Sequence, residues 1–280
     1  MASNKKIVLV TGSNKGIGYG IIEMLLEKKS NLRIILTSRN EDLGKKSFNK
    51  LLNRFPYSKD FFYYHQLDIT NKESITNLIS WIRRQFGKID YLVNNAGYGP
   101  HASRTEIDVH MTVLEINVFG TINFTEEMIK KNMINKKGKI ICVGSMGGCL
   151  YRLNSNKLKN DFKNAKTTQD LLNLAYSFKN SFLKGTEEKD GWCSKSYGVS
   201  KMIINSYPRI LSYRREIEKN DISVYSIHPG WVKTDMGGSY APLTIRQGAE
   251  CEVFLIELPD GNNKEYQGKF FDRFTVSSFE

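Results

Sequence analysis

Seven short, nearly unbroken apolar runs separated by longer stretches of helical periodicity constrain this chain more than any other feature. The runs are Ile7–Val10, Arg33–Thr37, Phe61–Leu67, Tyr91–Val93, Lys139–Val143, Ser223–Ile227 and Gly268–Phe271. Strands that are apolar on both faces belong in a parallel sheet, because the crossovers that join parallel strands also cover them. Between the runs, Ile17–Lys29, Glu41–Phe55, Lys72–Phe86, Gly120–Ile134, Ser196–Glu218 and Ile245–Leu258 repeat apolar residues at helical spacing. The alternation predicts an α/β fold: a single-domain, doubly wound parallel sheet of about seven strands over residues 1–280, with helices on both faces. Leu150–Trp192 breaks the rhythm, with no strand candidate and a helical pattern from Thr168 to about Leu183. A helical insertion at about 150–192 follows, either functional or a tolerated surface excursion.

Composition narrows the class. A chain of 280 residues with 40% hydrophobic content is ample for a packed core, and no apolar run approaches the ~20 residues that span a bilayer. The apolar run between Lys6 and Thr11 is too short for a signal-peptide core, so a cytoplasmic protein with free thiols at Cys142, Cys149, Cys193 and Cys251 is expected. The four histidines (His65, His101, His110 and His228) have no metal-ligand spacing, and no metal is expected. The net charge of +12 reads either as a nucleic-acid surface or as dispersed, solvated lysines that help steer an anionic ligand; the dispersion favours the second.

The first strand runs into Thr11-Gly12-Ser13-Asn14-Lys15-Gly16-Ile17-Gly18 at the mouth of a helix. Glycines there allow a tight turn and let backbone N–H groups approach a pyrophosphate at the positive helix end. The second strand ends Thr37-Ser38-Arg39, without the acid that binds an adenosine 2′-hydroxyl. Arg39 suits a 2′-phosphate instead, and Lys15 offers a second cation, so NADPH is the expected cofactor. Asp68, after the third strand, either meets the adenine amino group or caps the next helix, with Thr70 or Asn71 sharing that role. Asn94-Asn95-Ala96-Gly97 lets the backbone pass close beneath a cofactor.

Tyr197 and Lys201 stand four apart on one helix face. With 14 tyrosines in a lysine-rich chain such a pair arises readily by chance, so context carries the argument. Phenol has a reference pKa near ~10, and a cation one turn away is the means of lowering it. Ser145, after the fifth strand, can hydrogen-bond a carbonyl oxygen.

Thr11–Gly18, Asp68, Asn94–Gly97, Asn117, Ser145, Tyr197 with Lys201, and Pro229-Gly230 occur in this order along nearly the whole chain. In this the sequence resembles the short-chain dehydrogenase/reductase family, and within it the monomeric carbonyl reductases. The long interval from Ser145 to Tyr197, the run Gly191–Tyr197 and the run Pro229–Met236 carry the second likeness. The resemblance implies a Rossmann fold and a tetrad of Asn117, Ser145, Tyr197 and Lys201. Tyr197 would be the acid/base, Ser145 would orient the carbonyl, Lys201 would hold the nicotinamide ribose and lower the Tyr197 pKa, and Asn117 would bend its helix and hold a water. It places the cofactor against Gly12, Asn14, Lys15, Gly16, Ile17, Gly18, Arg39, Asp68, Ile69, Asn95, Ala96, Gly97, Tyr197, Lys201, Pro229, Gly230, Val232 and Thr234. The substrate falls against Ser145, Met146 and Trp231.

The implied activity is NADPH-dependent reduction of a ketone or aldehyde, on a small-molecule carbonyl substrate and with no nucleic-acid or membrane partner. A dehydrogenase of a specific terpenoid or steroid-like alcohol is the enzymic alternative. A non-catalytic nucleotide-sensing or nucleic-acid-binding protein is the alternative of a different class. Related plant reductases share the insertion, so it does not fix the substrate. Gly147 stands where the carbonyl reductases tend to have a bulkier residue, which widens the expected pocket. Pro208, three turns beyond Tyr197, should kink that helix or shift its boundary. Leu171, Leu172, Leu174, Ala175, Phe178 and Phe182 give the insertion an apolar face. Packed on the protein's own helices, that face would occupy the surface through which related chains pair, so a monomer is expected, the alternative being a new dimer contact or a lid over the substrate.

Overall fold

The computed structural model of the protein describes residues 5–29, 31–99, 106–192, 195–261 and 263–280; His101, Cys193 and Ser194 lie outside them. Eight strands form one sheet in the spatial order β3 (Phe62–Gln66), β2 (Leu32–Ser38), β1 (Lys6–Val10), β4 (Ile89–Asn94), β5 (Ile134–Val143), β6 (Ser223–His228), β7 (Phe270–Asp272) and β8 (Thr275–Ser277). Every neighbouring pair is parallel except β7 with β8. β1 pairs with β2 on one side and β4 on the other, so the winding reverses there and leaves a crevice beyond the strand ends.

The continuity of the apolar runs has a direct cause. Leu9 of β1 joins the apolar layer beneath α3 (Lys72–Phe86), α5 (Thr121–Lys130) and α8 (Ser196–Ser212). Its neighbours Val8 and Val10 join the opposite layer, beneath α1 (Gly16–Glu27) and α10 (Ile245–Glu257). Helix ends follow local chemistry. Asn40 caps α2 (Glu41–Arg54) by accepting from the Leu43 N–H, and Asn71 caps α3 by accepting from the Ser74 N–H. No helix among the described residues is long and apolar enough to cross a membrane.

Five details depart from the sequence pattern. β8 is a fully formed eighth strand, but its three residues are too short and too exposed to give a period. The helix expected at Gly120–Ile134 begins earlier, as α4 (Glu106–Leu114), and passes through a π-helical segment, Glu115–Gly120, into α5. The π turn shifts the phase of the apolar repeat and Ile107 is exposed, so no single period runs through the element. Asn132, in the left-handed region, ends that helix and frees Ile134 to begin β5. The helix expected to reach Glu218 is two, α8 and α9 (Arg215–Lys219), and the break falls at Tyr213-Arg214; α8 runs on past Pro208 to Ser212.

The insertion holds two helices, α6 (Asn156–Asn164), unmarked by the pattern, and α7 (Thr168–Lys184). Thr167 and Asp170 form a reciprocal capping box at the start of α7, and Gly185 ends it in the left-handed conformation. Leu171, Leu174, Ala175 and Phe178 are buried against α8, α4 and the π segment. Trp192 closes the excursion, with its ring 5.6 Å from Phe178 and 6.3 Å from Phe162.

Candidate active site

The glycine loop is tied to the end of β4. The Thr11 hydroxyl accepts from the Asn95 and Ala96 N–H groups, and the Asn95 amide donates to the carbonyls of Thr11 at 2.8 Å and Gly12 at 3.1 Å. The backbones meet so closely that a Cβ at Gly12, where φ is +60°, would lie 2.9 Å from the Ala96 Cα. Lys15 is the N-cap of α1 but makes no side-chain cap, and the first turn holds no acid. The positive end of α1 is thus presented to the crevice, a setting suited to a pyrophosphate. A Cβ at Gly16 would stand 3.5 Å from Thr234 Cγ2, so the segment after β6 folds back over the loop. Gly230 at φ +89° makes that turn, and Val232 is held by an isolated bridge to Leu243.

At the other end of the crevice Arg39 is exposed and forms no ion pair among the described residues. Ser38 is buried and donates to the Asn40 carbonyl. Lys15 differs from the expectation of a second free cation: its ammonium pairs with Asp235 at 2.6 Å, linking the glycine loop to the segment after β6. Asp68 does not cap α3, since Asn71 does. Its carboxylate accepts from the Thr70 N–H and hydroxyl, which fixes the turn that carries Ile69.

Ser145 and Tyr197 converge over Gly147. A Cβ on that glycine would lie 3.3 Å from Ser145 Oγ and 3.6 Å from Tyr197 Cε1. Lys201 is buried one turn along α8, with its Nζ 5.7 Å from the Tyr197 ring centroid and donating to the Val143 carbonyl at 2.7 Å. Burial brings the Lys201 amine down to about 8. Burial also pushes the Tyr197 phenol above its ordinary value, and the hydrogen bond with the Ser145 side chain is what pulls it back. Lys201 was expected to bring the phenol down; the net shift is upward because desolvation outweighs the stabilising contact.

Asn117 lies inside the π segment. Its Oδ1 accepts from the Tyr98 N–H at 2.7 Å, and its Nδ2 donates to the Tyr98 carbonyl at 3.0 Å and Ser200 Oγ at 3.1 Å. A π turn offsets one residue from the regular ladder, which is how this side chain comes to clamp the chain beyond Gly97.

Asn205 escaped the sequence reading. It accepts from the Ser145 N–H at 3.2 Å and donates to the carbonyls of Ser145 at 2.9 Å and Gly148 at 3.2 Å. It thereby sets the loop on which Ser145 stands. The signal lay in spacing: Tyr197, Lys201 and Asn205 form a polar i, i+4, i+8 row along one helix. Trp231, 55% exposed, is fixed by donation from Nε1 to the Gly237 carbonyl at 2.8 Å. Met146 is half-buried beside Cys149, and Met236 lies over Gly99.

Several known proteins share this arrangement of elements. The chain is 33% identical to a carbonyl reductase 1 from Sus scrofa whose name specifies NADPH, across 92% of this chain and 89% of that protein. The solved structure of salutaridine reductase from Papaver somniferum superposes with a TM-score of 0.83 at 26% identity, covering 95% of this chain and 99% of that one. Menthone neomenthol reductase from Mentha piperita gives 0.80 at 25% identity, with coverage of 97% and 99%. The family model described as short chain dehydrogenase matches residues 6–156, from β1 through the glycine loop and Asn117 to the Ser145 turn. With that match and a relative of this identity along nearly its whole length, the chain belongs to the short-chain dehydrogenase family.

Proposed function

We propose that the protein is an NADPH-dependent carbonyl reductase that converts a ketone or aldehyde to an alcohol. The observation that carries this reading is the meeting of Ser145 and Tyr197 over Gly147 at the strand ends, beside the buried Lys201. The residues present fit a dinucleotide phosphate: an uncapped helix start beside two positive-φ glycines, and an exposed arginine where an NAD site would hold an acid. Bound there, the nicotinamide supplies a hydride to the carbonyl carbon.

The chain's own residues do the rest. Ser145 donates to the substrate carbonyl and holds it against Tyr197, whose hydroxyl gives up the proton as the oxygen becomes an alcohol. A phenol kept above its ordinary pKa stays protonated through neutral pH and is ready to donate. Lys201 stabilises the phenolate that remains. Asn117 and Asn205 fix the Tyr98 and Ser145 backbones, so the donors need no rearrangement as charge develops on the oxygen. Met146 and Trp231 border the substrate. A panel of ketones, aldehydes and quinones, followed by loss of NADPH absorbance, tests the reading; NADPH oxidation by none of them, in protein that binds NADPH, rejects it.

The resemblance to two plant terpenoid and alkaloid reductases favours a second reading, an NADP-dependent dehydrogenase of a specific terpenoid-like alcohol. Secondary alcohols with NADP belong in the same panel. We further infer a single-domain monomer in the cytoplasm. Burial of the α7 face on α4 and α8 supports the monomer, and the free, buried Cys142, Cys149 and Cys251 suit a reducing compartment.

A further inference from the structure

The insertion reaches the end of the crevice marked by Arg39. A cavity of about 350 Å³ opens there, a usual size for a site that holds a small ligand. Arg39 lines it from the end of β2, Thr70 from the turn after β3, Met111 from α4, Glu115 from the π segment and Lys179 from α7. Packing and hydrogen bonds fix these parts against one another. Gln66 donates to the Arg39 carbonyl at 3.0 Å, and Asp68 fixes the Thr70 turn. A Cβ at Gly120 would lie 3.0 Å from Ile69 Cγ1, so the π segment packs on that turn. On α7, Tyr176 and Phe182 stand three residues before and after Lys179. The Tyr176 ring lies 5.0 Å from Phe119, which also lines the cavity, and the Phe182 ring stacks on His110 at 4.1 Å. Residues three apart share a helix face, so the two contacts turn Lys179 toward the cavity.

We propose that Lys179 is a specificity-determining residue for the cofactor: with Arg39 it forms a two-cation site for the 2′-phosphate of NADPH. The inference rests on the NADPH-dependent reading of the crevice. The second cation that the glycine loop offered, Lys15, is tied to Asp235 at 2.6 Å. Lys179 is half-buried and, like Arg39, forms no ion pair among the described residues. Two unpaired cations on one cavity repel each other, and an anion between them removes that cost. A phosphate monoester carries about −1.5 to −2 charges at neutral pH, whereas the free 2′-hydroxyl of NADH carries none.

The rest of the lining does not cancel the pair. Glu115 is the one acid on it; it is exposed and forms no ion pair within 4 Å with either cation. The Thr70 hydroxyl is already committed to Asp68 at 2.7 Å. Met111, Leu114, Ile116 and Phe119 are apolar, which lowers the screening of the two charges on that side. The insertion thus supplies a cation that a chain without α7 would lack.

The test is a fluorescence titration of NADPH and of NADH, without substrate, on the full-length wild type, Lys179→Ala and Lys179→Arg. The two dinucleotides differ only in the 2′-phosphate, and no turnover is needed. Lys179→Ala should weaken NADPH about fivefold, between the effect of a solvated ion pair and that of a charge-assisted hydrogen bond, and leave NADH nearly unchanged. Lys179→Arg keeps the charge and should hold NADPH within about twofold of the wild-type affinity. The difference between wild type and Lys179→Ala should shrink as salt approaches about 1 M, where charges are screened beyond ~3 Å. Unchanged NADPH affinity in Lys179→Ala, or an equal loss for both dinucleotides, in a wild type that prefers NADPH would overturn the inference and leave the NADPH reading standing. A wild type that binds both dinucleotides equally well would overturn that reading and the inference with it.

Discussion

The two ends of the crevice are built on opposite plans. At the tyrosine end almost every polar atom is engaged: Asn205 grips the Ser145 loop by three hydrogen bonds, Asn117 grips Tyr98 by two, and Lys201 is anchored on Val143. At the adenosine end Arg39 stands exposed, with no ion pair among the described residues. The difference suits the two tasks. Proton transfer needs donors fixed in advance, because reorganising them during the reaction would raise the barrier. Choosing a dinucleotide by its 2′-phosphate needs only a charge in the right place, and a solvated guanidinium supplies that without a buried cation.

Substitutions at the two ends should therefore fail in different ways. Tyr197→Phe is expected to cost ~10²–10⁴-fold in kcat, the usual contribution of a positioned acid, while NADPH affinity by fluorescence titration stays near the wild-type value. Retention of more than a tenth of the activity would remove Tyr197 from its role. Arg39→Asp should act the other way round. Losing a charge-assisted contact worth ~1.5–3 kcal/mol, it should lower the preference for NADPH over NADH by tenfold or more in kcat/KM and leave kcat with saturating NADPH close to normal. Equal efficiency with both cofactors in the wild type would refute the charge argument outright.

Asn205→Ala sharpens the comparison, since Asn205 is proposed to touch no substrate. It leaves the Ser145 N–H and the Gly148 carbonyl unpaired, while the Ser145 carbonyl keeps its bond from the Gly148 N–H, and each buried unpaired group costs ~1–3 kcal/mol. A drop in melting temperature together with about tenfold loss of kcat, at unchanged NADPH affinity, is the expected pattern. A change in melting temperature alone would make Asn205 a purely structural residue. The smallest effect concerns assembly. Light scattering at micromolar concentration should give a mass near 32.1 kDa, and a value near twice that would mean that the covered α7 face does not prevent pairing.

How much of this could be read from the sequence follows the physics of each element. Strands buried on both faces declare themselves as apolar runs, so seven of the eight were legible; β8, three residues long and exposed, has no pattern to read. The glycine loop, Ser145, Tyr197 and Lys201 were legible because a tight turn and a one-turn pair impose fixed spacings. The Lys15–Asp235 ion pair joins residues 220 positions apart and left no trace. The π turn at Asn117 depends on an offset of one residue that periodicity blurs instead of marking.

The most direct test of the account follows the hydrogen itself. The protein would be given NADPH carrying deuterium in both positions at nicotinamide C4, together with the best carbonyl compound from the panel, and the alcohol analysed by mass spectrometry. The account predicts one deuterium on the carbinol carbon, a hydroxyl proton that comes from solvent, and alcohol formed at least about a hundredfold more slowly when Tyr197→Phe replaces the wild type. Alcohol without the label, or labelled alcohol formed equally fast by Tyr197→Phe, would contradict it.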